Sequence, residues 1–278
     1  MRVGGRAGNR PGGAPLAIIA AGGGAGMKRR LRFVLLWLLA LATIALFTSL
    51  GFWQLRRAVE KQSMLDAAAE VLTSRDVHPL ATAADPARVE AYDWAVGSGR
   101  FAAHPALLLD NQQRNGRVGV RAYRIFLPDH GGPLLVDLGW LPLPGDRTLS
   151  EIARHDGRIE LRGLLAPPPS TGISLGRGLM RSHEGWLLTR VDMDAIAREL
   201  GLPAALAPRV LRLDPGMPLG FERDLELLAN TLPPDKHRGY ALQWFGLALT
   251  VLITALILTF RRPRHPRHPD LPPTKAER

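Results

Sequence analysis

The chain has 278 residues, no cysteine, and a formal charge of +11 from 36 Lys and Arg against 25 Asp and Glu. The absence of cysteine excludes disulfides, thiolate metal sites and cysteine nucleophiles. The excess charge lies in the tails, because residues 1–32 hold seven basic and no acidic residues and residues 261–278 hold six against two. Nucleic-acid binding needs basic residues spread over a folded face, so the sequence predicts no nucleic-acid partner.

Residues 1–32 form a basic N-terminal tail that is rich in Gly, Ala, Arg and Pro over its first 26 residues, and we predict disorder for it. Met27 is followed by four basic residues and then by an apolar run, a pattern typical of a translation start. The sequence therefore leaves open whether residues 1–26 are translated. Residues 261–278 are predicted to form a second disordered basic tail.

Residues 33–52 contain no charged side chain. Twenty helical residues span about 30 Å, the thickness of the hydrocarbon layer of a bilayer, so this run predicts a first transmembrane helix. The alternative is a cleaved signal peptide. Since the run is longer than the usual apolar part of a signal, about 7–15 residues, an uncleaved anchor is favoured.

Residues 242–260 form a second uncharged run, which Arg261 and Arg262 end abruptly, and they predict a second transmembrane helix. Basic residues before the first helix and after the second indicate that both termini are cytoplasmic and that the middle of the chain lies outside. Trp53 and Trp244 then fall at the same outer interface, where an indole ring is stable.

Between the helices, residues 53–241 are predicted to form a β-rich domain that lies outside the cytoplasm. A short helix is expected at residues 61–74 and another at residues 192–200, ended by Gly201. Apolar or alternating stretches between turn residues predict strands at residues 91–96, 106–109, 118–127, 133–141, 158–165, 186–191 and 210–213. The fold class is therefore an α+β membrane protein with an antiparallel sheet or a small barrel.

Four histidines of this domain lie beside Pro, Asp or Gly in predicted turns, where solvated side chains are the rule; they are His78, His104, His130 and His155. The chain has no His-Glu-x-x-His pair and no glycine-rich phosphate loop followed by Lys. An outer-face hydrolase using the domain's Asp, Ser and His is consequently the least supported interpretation.

His237 differs from the other histidines because it lies just before the second apolar run. If that helix extends back to Pro234, then His237, Tyr240 and Trp244 share one helix face at the level of the outer headgroups. An imidazole there can serve as an axial ligand of a haem iron. It can equally be an ordinary interfacial residue, like a flanking Lys or Trp, and spacing alone favours that interpretation.

Three motifs in order resemble the Surfeit locus protein 1 family, whose members are assembly factors for haem-copper oxidases. Residues 50–57 read Leu-Gly-Phe-Trp-Gln-Leu-Arg-Arg, which includes Gly51, Trp53, Gln54 and Leu55. Residues 136–142 resemble the family's central strand motif and include Asp137, Gly139 and Trp140. A third group of residues resembles the family's closing motif and consists of His237, Tyr240, Ala241, Trp244 and Phe245.

The resemblance covers residues 27–262 and has two departures. Leu138 stands where many members have Arg, and Asp235 and Lys236 precede His237 where many members have paired Asn. Neither departure removes the histidine.

The resemblance implies a non-enzymatic assembly factor for cytochrome c oxidase in a bacterial inner membrane. It implies that His237 binds haem a transiently and that the haem passes to oxidase subunit I, with other assembly factors as partners. Arg56, Arg57 and Arg238 are candidates for the haem propionates, although anchoring at the headgroups explains them equally well. The alternative function is a two-helix scaffold that stabilises an oxidase subunit without binding haem.

Overall fold

The computed structural model describes residues 23–144, 152–169, 178–182, 185–227 and 232–261. Contacts divide the chain into two units. The helical unit comprises Met1–Leu55 and Arg238–Arg278, and the sheet unit comprises Arg56–His237. The predicted disorder of residues 1–22 and 262–278 concerns positions outside the described residues.

Helix α1 (Gly23–Ser74) is a single helix of 52 residues. The prediction of a membrane helix at residues 33–52 and a separate helix at residues 61–74 is therefore wrong about the break between them, and the helix also starts ten residues before Phe33. Residues 53–60 contain neither Gly nor Pro, so nothing interrupts the hydrogen bonding. The helix ends at Ser74, and the next residue, Arg75, has a φ of 50° and donates its N–H to the Val71 carbonyl at 2.9 Å.

Helix α3 (Pro234–Phe260) runs antiparallel to α1 within the helical unit. The Trp37 indole donates to Thr259 Oγ1 at 3.1 Å. At the other end, Phe47 and Trp244 have ring centroids 5.5 Å apart, and Phe52 meets Phe245 edge to face at 5.4 Å. Both helices are long and apolar enough to cross a membrane.

The sheet unit contains one nine-stranded mixed sheet in the order β1-β2-β6-β9-β5-β4-β3-β8-β7. Its strands are β1 (Val77–Pro79), β2 (Asp93–Phe101), β3 (Leu107–Arg114), β4 (Arg117–Pro128), β5 (Leu134–Pro142), β6 (Ile159–Ala166), β7 (Leu179–Ser182), β8 (Gly185–Leu188) and β9 (Val210–Leu213). A further short pairing joins β2 to β4. Seven of these strands confirm the sequence prediction in place, within a few residues at their ends.

Neither predicted arrangement of the strands is correct. The pairs β1–β2, β3–β8 and β5–β9 are parallel, so the sheet is mixed rather than antiparallel. The strand order runs from β1 to β7, so the nine strands do not form one closed barrel, although β2 also pairs with β4. The two strands of each parallel pair are separated by a long stretch of chain. Local sequence patterns carry no information about such non-local pairing.

The strands β1 and β7 are missing from the sequence prediction. Strand β1 has three residues including a proline, and β7 has four with Arg and Ser among them, so neither shows an apolar alternation of useful length. His78 lies in β1, with an intermediate exposure, and not in a turn as predicted. His130 and His155 are exposed, as predicted.

Helix α2 (Met193–Glu199) confirms the second predicted helix. The Asp192 side chain accepts the Ala195 N–H at 3.0 Å and so caps the first turn. Gly201, with a φ of 60°, follows the helix end. The described residues form three apolar clusters, and the helix packs against the second of them through buried Ile196.

A third cluster attaches the last turns of α1 to the sheet. Ala68 of α1 is buried with Trp94 of β2 and Leu164 of β6, and Leu225 and Leu227 pack against the same group. The Arg75 guanidinium lies over the Trp94 ring at 4.6 Å. The end of α1 and the segment that precedes α3 therefore share one apolar anchor on the sheet.

Candidate functional site

The start of α3 carries the predicted ligand. Helix α3 begins at Pro234, so His237, Tyr240 and Trp244 share one helix face, as predicted for a helix of this extent. Proline is well suited to the first helical position. His237 is only 8% exposed and takes part in an interaction of its own. Tyr240 is 41% exposed and Trp244 is half-buried. The sequence did not predict the burial of the histidine.

The predicted cations divide between the two units. Arg56 and Arg57 belong to the sheet unit and Arg238 to the helical unit, and all three are exposed. Arg57 forms an exposed ion pair with Glu60 at 2.7 Å. Exposed pairs of this kind contribute about 0–1 kcal/mol, so Arg57 can exchange Glu60 for another carboxylate at little cost.

The first motif places a glycine at the contact between the two helices. Gly51 is buried, and a Cβ added to it would lie 2.6 Å from Phe245 Cε1. Small residues allow close helix approach in membranes. The neighbouring Trp53 and Leu55 are 48% and 37% exposed, whereas Gln54 is half-buried and engaged in an interaction.

Replacing Gly51 with Ala is expected to destabilise the helical unit by about 1–3 kcal/mol, because the new methyl group overpacks the Phe245 ring. Gly246→Ala is the matched control, since nothing lies within 4 Å of a Cβ at that position. The control should be neutral or stabilising by up to about 1 kcal/mol, as alanine is the better helix former. Thermal denaturation of the detergent-solubilised chain measures both, and equal effects of the two replacements would refute the packing argument.

The central motif forms a bulge in β5. Ala122 of β4 pairs with Gly139, and the next residue, Tyr123, pairs with Asp137, so Leu138 is an extra residue on β5. The Asp137 carboxylate accepts the Gly139 N–H at 3.0 Å and thereby stabilises the bulge from within. Leu138, one of the two departures from the resembled pattern, is buried in the first apolar cluster.

A cluster of buried charges surrounds Asp137. Arg121 donates to its carboxylate at 2.6 Å, and Arg212 lies 3.7 Å away. Burial alone would lower the pKa of Arg121, but Asp137 outweighs it and raises that pKa. Burial dominates for the more distant Arg212 and lowers its pKa. Burial also raises the pKa of Tyr123, whose hydroxyl has no hydrogen-bond partner among the described residues.

Trp140, the last motif residue, lies beneath this bulge and is 2% exposed. Its indole N–H donates to the Gln112 carbonyl at 3.1 Å, and Arg117 stacks over the ring at 5.5 Å. Asp137, Gly139 and Trp140 of the central motif therefore all contact other residues of the sheet unit.

A second buried ion pair involves Asp93, the first residue of β2. Arg209 is fully buried and donates to Asp93 at 2.5 Å, and Arg88 donates to the same carboxylate at 3.0 Å. Burial raises the pKa of Asp93, but the two arginines outweigh it and leave that pKa below its usual value. The Nε2 atom of His78 lies 3.6 Å from this carboxylate.

Sequence reasoning missed both buried clusters. The signal available for the first was the presence of Arg121 and Arg124 within the apolar run of β4. No comparable signal marks Arg209, which follows Ala, Leu, Ala and Pro in a short connection before β9.

One further pattern concerns the hydrolase interpretation. Residues 172–176 read Gly-Ile-Ser-Leu-Gly and match the spacing of a nucleophile elbow. That motif requires a strand before the serine and a helix after it. The residues themselves lie outside the described part, and the next described element is strand β7. Among the described residues, the element that follows the serine is a strand and not a helix, so they give the match no support.

An apolar helix at each end of the chain, with a mixed sheet between them, defines a protein with two candidate membrane spans and one intervening domain. The model of the SURF1 family matches residues 41–249, which include part of each long helix and the whole sheet. The chain belongs to the SURF1 family.

Individual relatives agree with this assignment. A SURF1-like protein of Rickettsia felis is 26% identical over 226 residues, covering 79% of this chain and 95% of the relative. A SURF1-like protein of Rickettsia conorii is also 26% identical, over 227 residues, covering 79% of this chain and 89% of the relative.

Proposed function

We propose that this protein is an assembly factor for cytochrome c oxidase that binds haem a through His237 and passes it to subunit I. The observation that carries the proposal is membership of the SURF1 family together with a histidine in the first turn of α3. The protein acts here as a carrier with no catalytic step of its own, in contact with subunit I and with other oxidase assembly factors.

The chemistry of the residues at the start of α3 fits a haem. A neutral imidazole is the commonest protein ligand of haem iron. Tyr240 and Trp244 lie three and seven residues beyond His237, on the same side of the helix, and offer aromatic surface to a porphyrin. The exposed guanidinium groups of Arg56, Arg57 and Arg238 are suited to the propionates. When bound, the haem would supply an iron centre and a long apolar tail that favours hydrocarbon.

The location proposed is the bacterial inner membrane, with both termini cytoplasmic and the sheet unit periplasmic. The basic residues outside each apolar run support this orientation. The contacts of Trp37 with Thr259 and of Phe47 with Trp244 support an uncleaved first helix, because a removed signal would leave these partners of α3 without contact.

One observation favours a second function, that of a two-helix scaffold for an oxidase subunit which binds no haem. His237 is 8% exposed and already engaged, so an iron atom reaches it only after the side chain is uncovered. In a protein that transfers haem, the burial of His237 can promote release of the haem. In a scaffold the same burial only stabilises the fold. The two functions differ in their need for the imidazole.

The test is complementation in a strain that lacks the gene. We expect loss of cytochrome c oxidase activity and of membrane haem a on deletion, restoration by the wild-type chain, and no restoration by His237→Ala. His155→Ala, at an exposed histidine of the sheet unit, is the matched control and should restore both. Full restoration by His237→Ala would refute haem ligation and favour the scaffold, and an unchanged oxidase on deletion would refute the assembly role.

A further inference from the structure

The bulge of β5 binds the chain segment that leads to α3. The Phe221 N–H donates to the Leu138 carbonyl at 2.7 Å, and the Trp140 N–H donates to the Glu222 carbonyl at 2.8 Å. Arg114 of β3 adds an ion pair with Glu222 at 2.7 Å and a second with Asp224. These contacts extend the sheet by a short piece of backbone that belongs to no strand.

Two glycines make this contact possible. Gly139 has a φ of 112°, and a Cβ there would lie 2.9 Å from the carbonyl oxygens of both Phe221 and Glu222. Gly220 has a φ of 88°, and its Cβ would meet the Leu138 carbonyl. A side chain at either position would thus push apart the backbones that the hydrogen bonds hold together, in addition to the strain of the left-handed conformation.

The attachment continues beyond the bulge. Arg212 Nη2 donates to the Glu226 carbonyl at 2.8 Å, and Leu225 and Leu227 pack in the cluster around Trp94. The segment 220–227 is therefore held to the sheet along its length, and only six residues separate Leu227 from Pro234. Without these contacts the free connection would begin at the end of β9, about 20 residues before α3, and its maximum span would rise from about 25 Å to about 70 Å.

We propose that the β5 bulge, through Gly139 and Trp140, is a positioning site that fixes the segment 220–227 and with it His237, the last residue of the sheet unit. The effect of this positioning on haem binding rests on the proposed function. His237 would hold the iron while Arg56 and Arg57 hold the propionates, and the effective concentration of one tethered group near another falls with about the −3/2 power of tether length. Release of the segment should therefore weaken haem binding by roughly fivefold.

The position of His237 can be measured directly because the chain has no cysteine. Spin labels at Glu160→Cys in β6 and Lys236→Cys beside His237, both exposed positions, report one distance by pulsed electron paramagnetic resonance on the full detergent-solubilised chain. We expect a narrow distance distribution in the parent and a broad one in Gly139→Ala. Gly116→Ala is the matched control, since Gly116 also has a positive φ, of 73°, but open space around its Cβ.

A distribution as narrow in Gly139→Ala as in Gly116→Ala would overturn the positioning role. If Gly139→Ala does not fold, Arg114→Gln decides the question, because it removes the two side-chain ion pairs without backbone strain. Haem titration of the same samples should show the roughly fivefold loss in Gly139→Ala with an unchanged spectrum. Failure of the parent to bind haem refutes the proposed function alone, since the distance measurement does not depend on haem.

Discussion

Replacing Asp93 with Asn is expected to destabilise the sheet unit by about 3–5 kcal/mol, because it leaves a buried charge without its counter-ion. Arg209 is 0% exposed and depends on Asp93 for its only carboxylate among the described residues. Asparagine has nearly the same shape, so packing is retained and the change isolates the charge. For a unit of this size the melting temperature should fall by roughly 6–20 °C, measured by tryptophan fluorescence of the solubilised chain.

The control for Asp93→Asn is Asp129→Asn, which breaks an ion pair of similar length at the surface. Asp129 accepts from Arg158 at 2.6 Å, but the Arg158 side chain is 70% exposed. The melting temperature should stay close to that of the wild type, since water replaces the partner. Similar melting temperatures for the two variants would contradict the assignment of Asp93 as a buried structural charge.

The pH dependence of stability provides a second test at Asp93. The pKa of Asp93 is lowered in the folded chain, so its contribution is complete above its unfolded value of about 3.9 and is lost as the pH falls through the lower folded value. The wild type should therefore lose melting temperature steeply below about pH 4. The melting temperature of the Asp93→Asn variant should fall less steeply in this acid range. An equally steep fall would contradict the link between stability and the ionisation of Asp93.

Replacing Asp137 is expected to have the second largest effect, about 3 kcal/mol for Asp137→Asn, since Arg121 and Arg212 would share no carboxylate at the bulge. Asparagine can still accept the Gly139 N–H, which lies 3.0 Å from Asp137 Oδ1. Asp137→Ala removes this acceptor as well and should cost about 1 kcal/mol more. Thermal denaturation of both variants separates the charge from the hydrogen bond.

The control for Asp137 is Asp156→Asn, at a side chain that is 81% exposed and paired with Arg154 at 2.9 Å. Its melting temperature should match that of the wild type. A wild-type melting temperature for Asp137→Asn would show that the central motif does not stabilise the bulge, and would remove the structural role that we assign to it.

The sequence was sufficient to predict most individual elements and insufficient to predict their arrangement. Strands β2 to β6 and β9 show apolar runs bounded by turn residues, and helix α2 has its Asp192 cap and Gly201 stop, so local patterns locate them. The parallel pairing of β9 with β5 depends on contacts about 75 residues apart, which no local pattern encodes. The continuity of α1 is likewise not predicted, because the change from apolar to charged residues near Arg56 indicates a break that the structure does not have.

The sequence predicts some features of the candidate site and misses others. The spacing of His237, Tyr240 and Trp244 follows from helical periodicity alone, and α3 has the required extent. The burial of His237 could not be predicted, since helical periodicity gives the face on which a residue lies and not its exposure. Arg209 and Asp93 were missed because charged side chains are almost always at the surface unless paired, and the pairing joins residues 116 positions apart.

The most direct test of the central claim is the absorption spectrum of the detergent-purified protein and of its His237→Ala variant, each produced in cells that make haem a. We predict a haem spectrum in the wild type and none in the variant, at equal melting temperatures of the sheet unit. Haem in neither protein, or equal haem in both, would contradict ligation by His237.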